Sequence, residues 1–419
     1  MKRQNSFTNL WQEYIEKSFS ILVPLLAILA AFFASGILIA IWGSNPLEAY
    51  AALFSGAFGS PSAIATTLIR LTPLAFTGLA VAYGYRSGFF NVGAEGQLFM
   101  GALAATWVGV TFVDWPGWLL LPACLLAAGL AGACFALIPG VLKATRGFNE
   151  VLTTLLLNYI AIQFFAWSLR VDHPMRGIDM AWSFVNWLGI KDPSQPFPKS
   201  APIAAAAELP SLEHLLNANW VANLFGSTAW YQSLISNPAI GRITMAPLLA
   251  ILAVIVVYII FFKTSIGYQA RAVGINPTAA KFMGINVKRT IIITAFISGS
   301  LAGLAGAAEV LGTQHRIIDN FLVDAGFTGI PVALIGQLHP VGAFLSAVFF
   351  GALRAGANKM QIISHVPISV VYVIQSFAIL FAIAGTTIDL QSRLKIARLS
   401  KQNKASVEAQ PVADEVSHA

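Results

Sequence analysis

Polar side chains recur at fixed spacing inside stretches of sequence that are otherwise apolar. The first group lies in Gly88–Gln97, GFFNVGAEGQ, where Asn91, Glu95 and Gln97 stand among glycines. Amides and carboxylates form hydrogen bonds with polar solutes, and glycine-rich backbone is tolerated at membrane depth only where it is buried in protein or lines an aqueous cavity. The same residues also fit an ordinary turn, in which Asn91 caps the next helix and Glu95 favours its first turn. Both interpretations stay open.

The second group lies in the stretch GFNEVLTTLLLN, which ends at Asn158. Glu150, Thr154 and Asn158 follow one another at intervals of four residues, so they share one face of a helix. Asn158 stands about two turns into that helix, where an amide facing lipid would be costly, so it must face protein or a polar path. A simpler interpretation has Asn149 as the helix N-cap and Glu150 in the first turn.

The third group is a short apolar run bounded by helix-interrupting residues, Asp324–Gly342. Gly326 and Gly329 precede the run, and Gly336, His339 and Pro340 follow it. A short, glycine-interrupted span is typical of a discontinuous membrane helix. A lone histidine such as His339 is more often a packing residue than a ligand or a switch.

The fourth group is a basic connector, residues 263–289. Within it Asn276 fits an N-cap, Pro277 the first helical position and Gly284 the helix end. This short helix would present Phe282 on its surface. An exposed helix with apolar side chains is typical of a docking element, although the same helix could lie on the lipid surface.

Several catalytic signatures are absent from the sequence. There is no G-x-x-x-x-G-K-[ST] phosphate loop, no H-E-x-x-H motif and no G-x-S-x-G motif, so we expect neither ATP binding nor enzymatic activity in this chain. The two cysteines lack the neighbours that a zinc site needs, and no metal site is predicted. Glu309 is the clearest of few acidic residues in the apolar runs, whereas ion-coupled carriers usually need buried carboxylates.

Composition identifies the elements that must position these groups. The chain has 419 residues, of which 57% are hydrophobic and 10% charged, and its mean hydropathy is +0.72. Soluble domains carry about 25% charged residues, so the bilayer is the expected solvent and an all-α transmembrane bundle the expected fold. About ten spans are predicted, since a helix needs about 20 apolar residues to cross. The runs lie near 20–42, 64–85, 97–113, 118–140, 150–169, 245–262, 290–312, 324–337, 341–356 and 367–386.

The distribution of cations predicts the orientation. Most of the 25 lysines and arginines fall on one side of the series, whereas the short loops on the other side hold only Arg316 and Lys359. The positive-inside rule therefore places both termini in the cytoplasm and explains the net charge of +7 without a nucleic acid partner. The resulting organisation is an N-terminal segment 1–19, a transmembrane domain 20–390 with a long outer loop 170–244 and the inner connector 263–289, and a polar tail 391–419.

Glycines also recur at helical spacing within the run 290–312. Gly299, Gly303 and Gly306 are small residues of the kind that let helix backbones approach closely in lipid. Tight packing is one interpretation of this pattern, and a face that slides during a conformational change is the other.

Four segments together carry a family resemblance over roughly residues 60–390. They are GFFNVGAEGQ (88–97), NEVLTTLLLNYIA (149–161), ARAVGINPTAAKFMGINVKR (270–289) and GFTGIPVALIGQLHPVG (326–342). With them the chain resembles the permease subunits of bacterial ABC importers of the branched-chain amino acid/ribose type, which serve simple sugars and nucleosides. The first two segments look most like the larger permease of nucleoside importers.

The resemblance implies a transport role in the bacterial inner membrane. The implied partners are a cytoplasmic ATPase that holds ATP and Mg²⁺, a second, smaller permease and an extracytoplasmic solute-binding protein, with no cofactor in this chain itself. The alternatives are a simple-sugar permease and, in a different class, a stand-alone ion-coupled carrier. The residues implied to line the path are Asn91, Glu95, Gln97, Glu150, Thr154, Asn158 and Glu309. Those implied to couple to the ATPase are Arg271, Gly274, Asn276, Pro277, Lys281, Phe282 and Gly284.

Overall fold

The computed structural model describes residues 24–170, 190–192, 194, 196–217, 237–319, 321 and 324–385. Within these ranges the regular structure is helical, and only isolated β-bridges occur outside the helices, so the all-α prediction is confirmed there. The predicted segments 1–19 and 391–419 lie outside the described residues. The described residues form two compact units, 24–41 with 372–385 and 42–371.

Fifteen helices of the described residues are labelled in chain order. They are α1 (Pro24–Ile41), α2 (Pro46–Phe58), α3 (Pro61–Arg86), α4 (Ala94–Thr111), α5 (Gly117–Arg146), α6 (Glu150–Ser168), α7 (Leu212–Leu216), α8 (Pro238–Gly241), α9 (Ala246–Lys263), α10 (Ser265–Ile275), α11 (Pro277–Phe282), α12 (Val287–Glu309), α13 (Ala325–Ile335), α14 (Pro340–Ser364) and α15 (Ser369–Gly385).

Seven of these helices are long and apolar enough to cross a membrane: α1, α3, α5, α6, α9, α12 with its five-residue π-helical extension, and α14. Helix α4 falls outside this set because Glu95 and Gln97 lie in its first turns and lower its mean hydropathy. Helices α13 and α15 are shorter apolar helices. The count of ten spans and the side on which the termini lie therefore stay predictions.

Two helices differ from the sequence-based boundaries. The run 341–356 was expected to be a short span, but α14 continues to Ser364 and is full length. Helix α2 was not predicted, because its apolar stretch is too short to count as a span. Its signal is local: Asn45 caps the helix by accepting the Leu47 N–H at 3.0 Å, and Pro46 occupies the first helical position.

The centre of the larger unit is α12, which packs against α3, α4 and α5. The contacts are made at the predicted glycines. A Cβ on Gly303 would overlap the Ala128 carbonyl of α5, and one on Gly306 would overlap the Leu98 carbonyl of α4. This seam is close-packed, as the first interpretation of the glycine spacing predicts.

Part of the predicted outer loop covers one end of the bundle, and we call residues 196–217 the end cap. The end cap is fastened by backbone hydrogen bonds: Ala204 N–H donates to Gly109 O at 3.0 Å, and Leu209 N–H donates to Leu311 O at 2.8 Å. Its regular structure is limited to a 3-10 turn and α7.

The connector between α9 and α12 contains the predicted short helix. The Asn276 side chain accepts the N–H groups of Thr278 and Ala279 at 3.0 Å each, Pro277 is the first residue of α11, and Gly284 follows with φ +82°. That local prediction is confirmed. The connector also contains α10, which precedes α11 and was not predicted as a separate helix.

Candidate functional site

The connection between α3 and α4 is held by a closed set of buried hydrogen bonds. The Asn91 Nδ2 group donates to Gln97 Oε1 at 2.7 Å and to Ser298 Oγ of α12 at 2.8 Å, and Gln97 Nε2 donates back to Asn91 Oδ1 at 2.9 Å. Ser298 Oγ in turn donates to Ala80 O of α3 at 2.7 Å. Asn91 and Gln97 are 2% and 1% exposed, so their polar atoms are satisfied by protein.

Helix α6 supplies a second tie to the same connection. Asn158, which is 1% exposed, accepts the Gly96 N–H at 2.9 Å and donates to Val92 O at 3.0 Å. The sequence required this amide to face protein or a path, and it faces the backbone at the start of α4. Thr154 on the same face is buried and donates to the Glu150 carbonyl of its own helix at 2.6 Å.

Glu150 forms a third tie, which is charged. Its carboxylate is ion-paired with Lys143 of α5, and the Lys143 ammonium also donates to Gly88 O at 2.5 Å. The Phe90 N–H donates to Glu150 Oε1 at 3.4 Å. Asn149 is the N-cap of α6, as the simpler interpretation predicted. Glu150 lies in the first turn of α6 and also contacts Lys143 and Phe90.

Glu95 connects α4 to the beginning of α13. Its Oε1 accepts the Asp324 N–H at 2.9 Å, and its Oε2 accepts the N–H groups of Gly326 at 2.5 Å and Phe327 at 3.3 Å. The first N–H groups of a helix have no partner within the helix, and here a carboxylate from a distant segment supplies one. Glycine is required at position 326 because a Cβ there would overlap the backbone of Glu95.

An aromatic cluster lies one turn beyond Glu95 on α4. Phe99 contacts Phe165 of α6 edge to face with ring centroids 4.8 Å apart, and Phe321 stacks on Phe165 at 5.6 Å. All three rings are buried. The segment that leads into α13 is therefore held both by the Glu95 carboxylate and by apolar packing.

The connector is fastened to the bundle through α10. Arg271 of α10 and Arg86 at the end of α3 both lie over the rings of Phe261 and Phe262, with centroid distances between 5.3 and 5.6 Å. Arg271 also donates to the Phe261 carbonyl. Gly274 meets the backbone of Arg86 so closely that a Cβ would overlap the Arg86 carbonyl. Arg271 and Gly274 thus face the bundle.

The other end of the connector faces away from the chain. Ile275, Phe282 and Met283 are 86%, 88% and 60% exposed, and Lys281 beside them is exposed as well. The predicted coupling residues therefore divide into two sets. Arg271 and Gly274 hold the connector against the bundle, whereas Lys281 and Phe282 lie on its exposed surface.

His339 lies at the turn between α13 and α14 and is a packing residue. Its ring is 5.4 Å from that of Phe262 and 5.9 Å from that of Tyr258. Partial burial, and then the charge of Arg86, lower the pKa of His339 below its ordinary value.

Glu309 lies apart from the other polar candidates. It is eleven residues beyond Ser298 on α12, about 16 Å along the axis. It is 4% exposed, accepts a hydrogen bond from Gln314 Nε2 at 3.1 Å, and has Arg70 of α3 within electrostatic range.

Sequence reasoning missed three partners in this arrangement: Ser298, Lys143 and Arg70. Lys143 stands seven residues before Glu150, so the opposite charges at this short separation could have predicted the ion pair. Arg70 also had a signal, because a charged residue inside the predicted run 64–85 must face protein or water. Ser298 had none, because its partner comes from a distant segment.

Comparison with known proteins gives a consistent result over most of the chain. Residues 63–383 match the family model described as branched-chain amino acid transport system / permease component. The guanosine ABC transporter permease protein NupP of Bacillus subtilis is 33% identical over 386 residues, which is 91% of this chain and 97% of that protein. The glucose permease TsgB13 of Haloferax volcanii is 34% identical over 86% of this chain and 87% of its own length. The nucleoside permease NupB of Lactococcus lactis is 32% identical over 93% and 97%. No solved structure matches the chain.

Proposed function

The chain belongs to the family of branched-chain amino acid transport system permease components, and we propose that it forms half of the translocation path of an ABC importer for nucleosides. The observation that carries this proposal is the extent of the likeness to NupP and NupB, which covers at least nine tenths of each chain. The proposed location is the bacterial inner membrane, with both termini in the cytoplasm.

The proposed motor is a separate cytoplasmic ATPase that binds ATP and Mg²⁺. The connector supports this assignment, because α11 presents Phe282 and Met283 to a partner while Arg271 and Gly274 hold α10 against α3 and α9. A movement of the docked helix would then reach Arg86 and the connection between α3 and α4 directly. The proposed ATPase-coupling residues are the seven predicted from the sequence: Arg271, Gly274, Asn276, Pro277, Lys281, Phe282 and Gly284.

The proposed path runs beside the interrupted backbone of the α3–α4 connection and α13. The path candidates Asn91, Gln97, Glu150, Thr154 and Asn158 act there by holding that backbone in place, since their polar atoms are used within the protein. Glu95 does the same for α13, and Glu309 stands nearer the end cap.

The proposed substrate class follows from the relatives. Two of the three relatives named above are permeases for guanosine or nucleosides, and the third is a glucose permease. Guanosine and glucose share a sugar ring with adjacent hydroxyl groups. Glucose is therefore the second candidate, and the sugar ring is the common chemistry. We further propose a second, smaller permease and a solute-binding protein as partners, the latter docking at the end cap.

The test is uptake by cells that express this chain together with its ATPase and permease partners. We expect accumulation of labelled guanosine and uridine that stops when the ATPase is made unable to hydrolyse ATP. Glucose uptake without guanosine uptake would replace the substrate. Uptake by the purified chain alone in vesicles, driven by a proton or sodium gradient, would replace the ABC mechanism with that of an ion-coupled carrier.

A further inference from the structure

Lys143, in the last turn of α5, joins three segments of the chain. Its ammonium is ion-paired with Glu150 in the first turn of α6, donates to the Gly88 carbonyl of the α3–α4 connection at 2.5 Å, and lies 6.0 Å from the centre of the Phe89 ring. An ion pair that only closed the turn between α5 and α6 would need Lys143 and Glu150 alone. The contacts with Gly88 and Phe89 tie that turn to a third segment.

Phe89 belongs to one buried apolar cluster with the connector. The buried members of the cluster are Phe89, Ala144 of α5, Val273 of α10, Ala280 of α11, and Ile291 and Ala295 of α12. Ala280 is fully buried, whereas Phe282, two positions later on α11, is 88% exposed. Helix α11 therefore has one face in the cluster and another that is presented to a partner. Because close-packed interiors transmit strain, a push on the exposed face reaches Phe89 through this cluster.

The backbone of the α3–α4 connection also touches the connector directly. Gly88 has φ +76°, and a Cβ at that position would lie 3.2 Å from the Cα of Gly274 in α10. Gly274 in turn lies against the Arg86 carbonyl. The residue whose carbonyl accepts the Lys143 hydrogen bond is thus the one that contacts the connector. Lys143 stands between that contact and the beginning of α6.

We infer that Lys143 is a positioning residue that carries the displacement of the connector from Gly88 to Glu150 and so to α6. This inference rests on the proposed function and extends the coupling to the ATPase beyond the connector itself. The displacement of α6 would reach the backbone beside the proposed path, because Asn158 of α6 accepts the Gly96 N–H at 2.9 Å.

The competing explanation is that the Lys143–Glu150 pair only stabilises the turn between α5 and α6. That role would lower the amount or the stability of the folded chain, but it would leave the number of solute molecules moved per ATP unchanged. A residue that transmits movement changes this ratio while the ATPase still docks and hydrolyses ATP.

The experiment measures the ratio for the whole importer, purified with its ATPase and permease partners and reconstituted in vesicles with the solute-binding protein. Labelled guanosine that is moved and phosphate that is released are counted in the same sample. The variant is Lys143→Met, with Lys143→Gln in its place should Lys143→Met fail to accumulate. Arg146→Met is the matched control, because Arg146 lies in the same last turn of α5 and is exposed.

Lys143→Met should lower the ratio at least about fivefold, which is the lower end of typical coupling between sites, with the ATPase still bound and active. Arg146→Met should keep the wild-type ratio. An unchanged ratio in Lys143→Met would overturn the inference. Loss of the ATPase from this variant would overturn it as well, because Lys143 would then support docking and not transmission.

A charge exchange separates transmission from closure of the turn. Lys143→Glu/Glu150→Lys restores an ion pair between α5 and α6, but a carboxylate at position 143 cannot donate to the Gly88 carbonyl. We expect the exchange to recover the unfolding temperature lost in Lys143→Met while the ratio stays low. A low ratio supports the inference whatever the unfolding temperature, and recovery of the wild-type ratio overturns it, because the pair would then act only within the turn.

The wild-type importer tests the proposed function separately. If it moves glucose but not guanosine, the nucleoside proposal fails, and the same variants are compared with labelled glucose: a ratio at least about fivefold lower in Lys143→Met supports the inference and an unchanged ratio overturns it. If the wild type hydrolyses no ATP during uptake, the ABC mechanism fails and the inference fails with it.

Discussion

The Glu95 carboxylate accepts the backbone N–H of Gly326 at 2.5 Å, although the two residues are 231 positions apart in the chain. The same carboxylate accepts two further N–H groups at the start of α13. A short helix without a local side-chain cap is thus capped by a residue of α4, so the position of α13 depends on its contact with α4.

Replacing Glu95 should destabilise the folded chain. Glu95→Ala leaves buried N–H groups without an acceptor, which costs about 1–3 kcal/mol per group, and Glu95→Gln should cost less because it keeps one acceptor. The measurement is the temperature of thermal unfolding of the purified chain in detergent. Glu48→Ala in the first turn of α2 is the control, since Glu48 is exposed. Unfolding of Glu95→Ala at the wild-type temperature would contradict this role.

Asn91 and Gln97 should behave as one unit. Each donates to the other, so removing either side chain already breaks both mutual hydrogen bonds. We expect the double variant Asn91→Ala/Gln97→Ala to lose less stability than the two single variants added together, by about 0.5–3 kcal/mol. Unfolding in a series of denaturing-detergent mixtures measures this difference. The pair Asn91→Ala/Glu48→Ala should be additive, and additivity of the first pair would count against the closed network.

Two positions of the connector should respond differently to the same charged replacement. Phe282 is 88% exposed, so Phe282→Glu should leave folding unchanged while the ATPase no longer co-purifies. Gly274 faces the Arg86 backbone, so Gly274→Glu should reduce the folded chain itself. Size-exclusion profiles and ATPase co-purification separate the two effects. Retention of the ATPase by Phe282→Glu would rule out docking through α11.

His339 should make the chain less stable in mild acid. Burial and Arg86 lower the pKa of His339 in the folded state, whereas the unfolded value is about 6.5. Below that pH the unfolded chain binds the proton more readily, so the stability contributed by neutral His339 is present above about pH 6.5 and is lost as the pH falls towards the folded pKa. Between pH 7.5 and pH 5, the unfolding temperature of His339→Gln should fall by less than that of the wild type. Equal losses in both chains would contradict the shift.

Much of the local structure followed from the sequence. The apolar runs predicted most of the helices, and the α11 helix and the α6 N-cap were predicted at Asn276 and Asn149, because a cap depends on residues within one turn. The family segments identified the class of protein. Helix α2 was missed even though Asn45 and Pro46 carry the same kind of signal, since the search was for runs of spanning length.

The sequence by itself determined that the polar residues of the α3–α4 connection, α4 and α6 need partners in an apolar surrounding, because an unsatisfied polar group there is costly. Only the tertiary structure decided which partners they have: Asn91 with Ser298, Asn158 with Val92, and Glu95 with Gly326. Each of these partners comes from a segment at least 66 residues away, the Asn158–Val92 pair being the nearest. The capacity of a side chain to form hydrogen bonds follows from its residue type. The partner that it finds depends on which helices the close-packed glycines bring together.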